Sequence, residues 1–211
     1  MGVFEEWNHR PCWSVVEAGS RIAEEQHSVD GGELMSVNWD GYVAFDPGGT
    51  RPLHEVTKRE ARAAFRRLMA AKDERVGALR QLLAQNGVVL SSEPEGLTAL
   101  NDWFRSEVEG ERATGRLLPV WYAVVNDLAL FLGDAIIATS PDNLKWVMFD
   151  KGARDVAFQR HVIMGFSGVA NPKYNVDIDF LVATYAHRII AGEQVETDAF
   201  ATWIEGAAAK A

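Results

Sequence analysis

The chain has 211 residues, a length that fits a single domain. Hydrophobic residues make up 47% and charged residues 24%, as is usual for a globular protein. A net charge of −9 argues against a surface that binds nucleic acid or anionic lipid as a whole. The only cysteine, Cys12, excludes an internal disulfide, and Met1 to Glu6 lack the start of a signal peptide. These features predict a cytoplasmic protein.

Residues 1–50 are the strand-rich part of the chain. Leu34 to Trp39 and Tyr42 to Phe45 flank Asp40-Gly41, a dipeptide typical of two-residue hairpin turns. We therefore predict a hairpin that ends at the Asp46–Gly49 turn sequence.

Residues 55–110 are the helical part. Thr57 and Glu60 form a capping-box pattern that opens a helix reaching Asn86, with a possible break near 71–73. Ser92 and Glu95 form a second capping-box pattern for the next helix. The residues between Gly110 and Gly115 are predicted to be a charged loop.

Residues 119–192 predict a helix, a hairpin and a second helix. Val120 to Ala138 is almost continuously apolar after Pro119, which is typical of a buried helix. The same length could span a membrane, but Asp127, Asp134 and Asn126 are costly in lipid. We therefore favour a core helix in a water-soluble protein.

The hairpin is predicted to pair Lys145–Phe149 with Asp155–Phe166 across a turn that contains Gly152. The helix that follows should begin at a cap of Asn175 or Asp177 and run to about Ala191, before Gly192. The whole chain is predicted to be one α+β domain, in which several helices pack on a small antiparallel sheet built from hairpins.

The central unit also carries a resemblance. It combines Leu132-Gly133-Asp134 late in an apolar helix, Trp146 at the start of a hairpin, and Asn171-Pro172 before a helix. This order resembles uncharacterised bacterial families, domains of unknown function, that have a Leu-Gly-acid helix, a Trp-bearing strand and an Asn-Pro loop. The resemblance covers about a third of the chain. It implies a bacterial source and an α+β fold, but no activity, and the acid here is Asp rather than the commoner Glu.

Charge is distributed unevenly along the chain. Residues 57–86 hold eight basic and three acidic side chains, a balance of +5, so the remainder carries −9 − 5 = −14. Arg59, Arg62 and Arg66 can share one side of the helix, which would suit phosphate or an acidic partner. The simpler interpretation is a solvated face paired with acids elsewhere in the fold.

No motif points to a particular chemistry. The histidines show no metal-ligand spacing, so no metal and no cofactor are predicted. Gly165 to Gly168 lacks the spacing of a nucleophile elbow, so no catalytic residue is assigned. The candidate ligand-binding residues are Asp127 and Asp134 on the apolar helix and Trp146 and His161 on the hairpin.

Three functions remain open. The first is a non-enzymatic protein that binds a macromolecular partner, basic in charge, as an immunity or adaptor protein does. The second is an enzyme or small-ligand binder with a pocket between the 119–138 helix and the 145–166 hairpin. The third is a nucleic-acid binder that uses the basic helix. The sequence leaves the oligomeric state open.

Overall fold

The computed structural model describes residues 37–45 and 55–211. Within them the fold is α+β, with five helices and two antiparallel two-stranded sheets. In chain order the elements are α1 (Lys58–Gln85), α2 (Pro94–Glu107), β1 (Gly110–Glu111), β2 (Arg116–Leu117), α3 (Pro119–Thr139), β3 (Lys145–Met148), β4 (His161–Met164), α4 (Ile178–Ile190) and α5 (Ala199–Ala208).

Helix α3 forms the centre of the fold, as its composition predicts. Every residue from Trp121 to Leu130 is buried, and α1, α4 and α5 pack against the helix. By length and composition alone α3 could cross a membrane, but 72% of its most apolar 18-residue window is buried inside the protein. A helix that is apolar on all sides is stable here because other helices surround it.

Helix α1 begins where the sequence predicts. Thr57 caps it, with the Glu60 amide donating to the Thr57 hydroxyl and the Thr57 amide donating to Glu60. The helix runs through residues 71–73 without the break that was considered possible. The second predicted capping box is wrong. Helix α2 begins after Glu93 with Pro94 in its first turn, and no side chain caps it.

The sheet prediction is partly confirmed. Strands β3 and β4 pair with Trp146 opposite Ile163 and Met148 opposite His161, and Gly152 takes the positive φ expected of the turn. The second strand begins at His161 rather than Asp155, because residues 153–160 form turns. Hydrogen bonds between Ile163 and Val176 then extend the pairing on the far side of β4.

Two further predictions need correction or stay open. Gly110 to Gly115, predicted to be a charged loop, contain strand β1 and the turn of the short β1–β2 hairpin, which Arg116 and Leu117 complete. Asp40-Gly41 does form a turn, but the described residues on either side of it, Val37 to Phe45, form no strand. The part of the predicted first strand before Val37 lies outside the described residues.

Helix α4 follows the prediction closely. It runs from Ile178 to Ile190, and the Asp177 carboxylate caps it by accepting a hydrogen bond of 3.0 Å from the Phe180 amide. The fold is therefore a helical body around α3, with the β3–β4 hairpin placed across the α3 C-terminal half.

Candidate functional site

Asp134 lies where α1, α3 and β3 meet. Its two oxygens have different partners: the Trp146 indole N–H donates to one at 2.9 Å, and the Lys72 ammonium donates to the other. The indole ring fits because Gly133 has no side chain, and a Cβ added there would lie 2.1 Å from Trp146 Cζ2. Asp134 therefore fixes the hairpin and α1 to the central helix. Its side chain remains 37% exposed.

His161 lies on the same face of the hairpin as Trp146. Met148 is opposite His161 and is two residues from Trp146, and side chains two apart on a strand point to the same face. The two rings are 5.9 Å apart. His161 is buried, and its Nε2 atom has no hydrogen-bond partner among the described residues. Burial lowers the pKa of the imidazole, while Asp179 and Asp177 oppose that shift. The ring is therefore neutral at pH 7.

Arg160 forms a buried charge cluster where β4 meets α4. Its guanidinium donates to both Asp177 oxygens and, at 2.9 Å, to Asp179. The second Asp179 oxygen is buried without a hydrogen-bond partner among the described residues. This cluster positions the start of α4 against the hairpin, so Asp177 has a role beyond the helix cap that the sequence predicts.

Asp127 belongs to a different cluster, about two turns nearer the N-terminus of α3. Arg75 of α1 donates to both of its oxygens at 3.0 and 2.6 Å, and the Tyr42 hydroxyl donates at 2.6 Å. Burial raises the pKa of the Asp127 carboxyl, and the hydrogen bonds from Arg75 and Tyr42 oppose that rise. Asp127 and Asp134 are seven residues apart on α3, and both side chains face α1. Arg75 of α1 pairs with Asp127, and Lys72 of α1 pairs with Asp134.

The structure thus brings together three of the four candidate ligand-binding residues. Asp134 bonds Trp146 and Trp146 contacts His161, while Asp127 pairs separately with Arg75. A ligand at this place stays a prediction. Tight packing of Trp146 on Gly133 gives these side chains a structural role whether or not they bind anything.

Several basic residues of α1 pair with acids of other elements, and several are exposed; Arg62 does both. Lys72 and Arg75 face α3, while Lys58 and Arg62 lie 2.8 and 3.3 Å from Asp150 of the hairpin. Arg59, Arg62 and Arg66 are all exposed on one side of the helix. At least four of the eight cations thus pair with acids from other elements, which reduces the charge available to an external phosphate.

Exposed acidic side chains lie on α2 and on the connection between α4 and α5. Asn101 donates to the Thr197 carbonyl at 2.8 Å, and Tyr185 donates to the Glu196 carbonyl at 2.5 Å, so α2 and the α4–α5 connection are tied together. We call four exposed acids that are close in sequence to these bonded residues the acidic rim; they are Asp102, Glu193, Glu196 and Asp198. Arg105 contacts Asp102 at 3.5 Å. Arg188 contacts Glu193 and Glu196 at 3.1 and 3.2 Å, and it helps to lower the pKa of Glu196.

Sequence reasoning missed several of these residues. The sequence predicts Lys72 and Arg75 only as members of the basic run at residues 57–86. It predicts Arg160 only as part of the second hairpin strand, Asp155–Phe166. Heptad spacing does place 127 and 134 on one side of α3, but the cations that answer them come from another helix. Their register against α3 is set by packing, which the periodicity of one segment does not contain.

Comparison with known proteins gives no relative. No family model matches the chain, and no curated protein or solved structure matches it. Among the described residues, no group of three or more His, Cys, Asp or Glu side chains could hold a metal ion.

The partly buried His187 predicts how stability depends on pH. Burial lowers the pKa of His187 from 6.5 to about 4, although a hydrogen bond with the Gly115 backbone raises the pKa in part. The unfolded chain therefore takes up the proton first on acidification, and stability declines as the pH falls from about 6.5 towards 4. We expect His187 to contribute about 1 to 2 kcal/mol of this loss after solvent screening is allowed for.

Urea unfolding at pH 7 and pH 5 tests this expectation. His187→Gln removes the titrating group, so its free energy of unfolding should change less between the two pH values than that of the wild type. Equal changes in the two proteins would contradict the assignment.

Proposed function

We propose that the protein is a cytoplasmic, non-enzymatic binding protein whose acidic rim receives a basic macromolecular partner. The observation that carries this proposal is the rim itself: four exposed carboxylates on two segments that partly buried hydrogen bonds tie together. Rigid presentation reduces the entropy lost on binding. Arg105 and Arg188 pair with three of the four acids, so the rim and these two cations together carry −4 + 2 = −2. This excess of negative charge speeds the encounter with a basic surface.

The distribution of charge favours a basic partner rather than a nucleic acid. At least four of the eight cations in α1 are paired with Asp127, Asp134 and Asp150 of this chain. The residues outside 57–86 carry −14, so a polyanion approaching the molecule would be repelled by most of it. Nucleic-acid binding through Arg59, Arg62 and Arg66 stays an untested alternative.

A matched pair of charge variants tests the proposal. The immobilised protein is used to capture partners from a lysate of the source organism, and a captured partner is identified, purified and measured by surface plasmon resonance. The rim variant D102N/E193Q/E196Q/D198N should slow association at low salt by about tenfold or more, because it removes the steering charge. The dissociation rate should change less.

The control variant D73N/E74Q/D142N/D155N removes four exposed acids on α1 and around the β3–β4 hairpin, outside α2 and the α4–α5 connection, and changes the net charge by the same amount. It should slow association only about twofold if the rim is the docking surface. Equal effects of the two variants would show that net charge alone matters. A purified partner that binds the rim variant as fast as the wild type, at every salt concentration, would refute the proposal.

A further inference from the structure

The segment Val37–Phe45, which we call the strap, lies along the seam between α1 and α3 without forming a helix or a strand. Asn86, at the end of α1, holds its backbone in both directions. The Asn38 amide donates to the Asn86 side chain at 2.8 Å, and the Asn86 amide group donates back to the Asn38 carbonyl at 3.1 Å. One side-chain amide thus satisfies a donor and an acceptor of the same residue, as a neighbouring strand would.

Two aromatic side chains anchor the strap. The Trp39 ring meets Trp121 of α3 edge to face at 5.3 Å, and the Tyr42 hydroxyl donates to Asp127 at 2.6 Å. A turn with a 3.0 Å hydrogen bond from the Tyr42 amide to the Trp39 carbonyl sets their spacing. The residues between and beyond them, Asp40, Gly41 and Val43, are exposed. Aromatic anchors with exposed residues between them are how a peptide ligand is held in a groove.

The strap covers a groove formed by Arg75, Asn86, Trp121 and Asp127. The charges of Arg75 and Asp127 compensate each other, so neither charge needs the strap as its partner. Arg75 and Asp127 form a two-pronged ion pair on their own, with both Asp127 oxygens engaged. Removing the strap takes away the Tyr42 hydroxyl and the bond of 2.8 Å from Arg75 to the Val43 carbonyl. Water can replace both partners, so the groove can open without leaving a buried charge uncompensated.

We infer that the strap is an exchangeable peptide held in cis, and that the groove formed by Arg75, Asn86, Trp121 and Asp127 recognises an extended Trp-x-x-Tyr segment of a partner protein in its place. The Trp121 ring selects an aromatic ring at the first position, and Asp127 selects a hydroxyl donor at the second. Arg75 donates to a backbone carbonyl beyond it and lies 5.7 Å from the Phe45 ring, which adds an aromatic preference there. This groove is separate from the acidic rim, and the inference does not rest on it.

The test vacates the groove and refills it from solution. The receptor is the full chain carrying Trp39→Ala and Tyr42→Ala, and the probe is a fluorescein-labelled peptide with the sequence of residues 37–45. Fluorescence anisotropy should show saturable binding to this receptor. Binding to the wild-type chain should be at least about tenfold weaker, because the tethered strap competes at an effective concentration in the millimolar range.

Two controls define the site. A peptide with alanine in place of both aromatic residues should not bind, and adding Asn86→Ala to the receptor should weaken binding of the original peptide several-fold. Circular dichroism and cooperative urea unfolding report whether the receptor is folded. A folded receptor that does not bind the peptide overturns the inference. So does equal binding to the wild type, which would place the peptide elsewhere, or a receptor that does not fold, which would make the strap part of the core.

Discussion

Replacing Asp127 with asparagine is expected to lower the free energy of unfolding by about 3 kcal/mol or more. The substitution keeps the shape of the side chain but removes the negative charge opposite Arg75. Asp127 is completely buried and Arg75 is 4% exposed, so water does not replace the lost charge while the strap and the α1–α3 interface stay in place. Urea unfolding followed by circular dichroism measures the change, provided that the slope of the transition stays the same.

Two companion variants separate charge from packing. Tyr42→Phe deletes one hydrogen bond to Asp127 and should cost about 1 kcal/mol. The double variant Arg75→Met/Asp127→Leu removes both charges and fills the space with apolar groups, so it should lose less stability than Asp127→Asn. A loss below about 1 kcal/mol for Asp127→Asn would mean that the pair is solvated and does not define the interface.

This ion pair shows where prediction from the sequence stops. The sequence places Asp127 and Asp134 on one side of a buried helix, because a separation of seven residues is close to two turns. It also contains the basic run of α1. It does not show that Arg75 and Lys72, three residues apart on α1, meet those two acids, because the offset between the helices follows from side-chain packing across the whole interface.

The elements themselves were predictable where local chemistry is strong. Thr57 with Glu60, Pro119 before an apolar run, and Asp177 before an amphipathic run each mark a helix start by a specific hydrogen bond or backbone preference. Ser92 misled because Pro94 already has the φ that a first helical turn requires, so the helix begins there without a side-chain cap.

The short β1–β2 hairpin was missed for a different reason. Its strands have two residues each, too few to show alternation, and each strand has one charged, exposed residue, Glu111 or Arg116. Contacts with α4 hold it in place: a Cβ added to Gly110 would lie 2.7 Å from Ile190 Cδ1. The pairing therefore depends on tertiary packing, which a reading of residues 110–117 alone does not include.

The close packing of Trp146 on Gly133 gives the second large effect. Gly133→Ala should destabilise the protein by about 3 kcal/mol, because the new methyl group would lie 2.1 and 2.3 Å from two carbons of the Trp146 ring. The ring has little freedom to move away, since its N–H is bonded to Asp134 and its backbone is paired with Ile163. Urea unfolding of the variant measures the loss.

Gly77→Ala is the matched control for this substitution. Gly77 also lies inside a helix, α1, but nothing approaches within 4 Å of the position of its added methyl group. There the change should stabilise the protein by about 0.5 to 1 kcal/mol through helix propensity alone. Combining Gly133→Ala with Trp146→Phe should cost less than the two single losses added together, because the smaller ring relieves the overlap. Additive losses, or a Gly133→Ala protein as stable as the wild type, would show that Trp146 does not rest on Gly133.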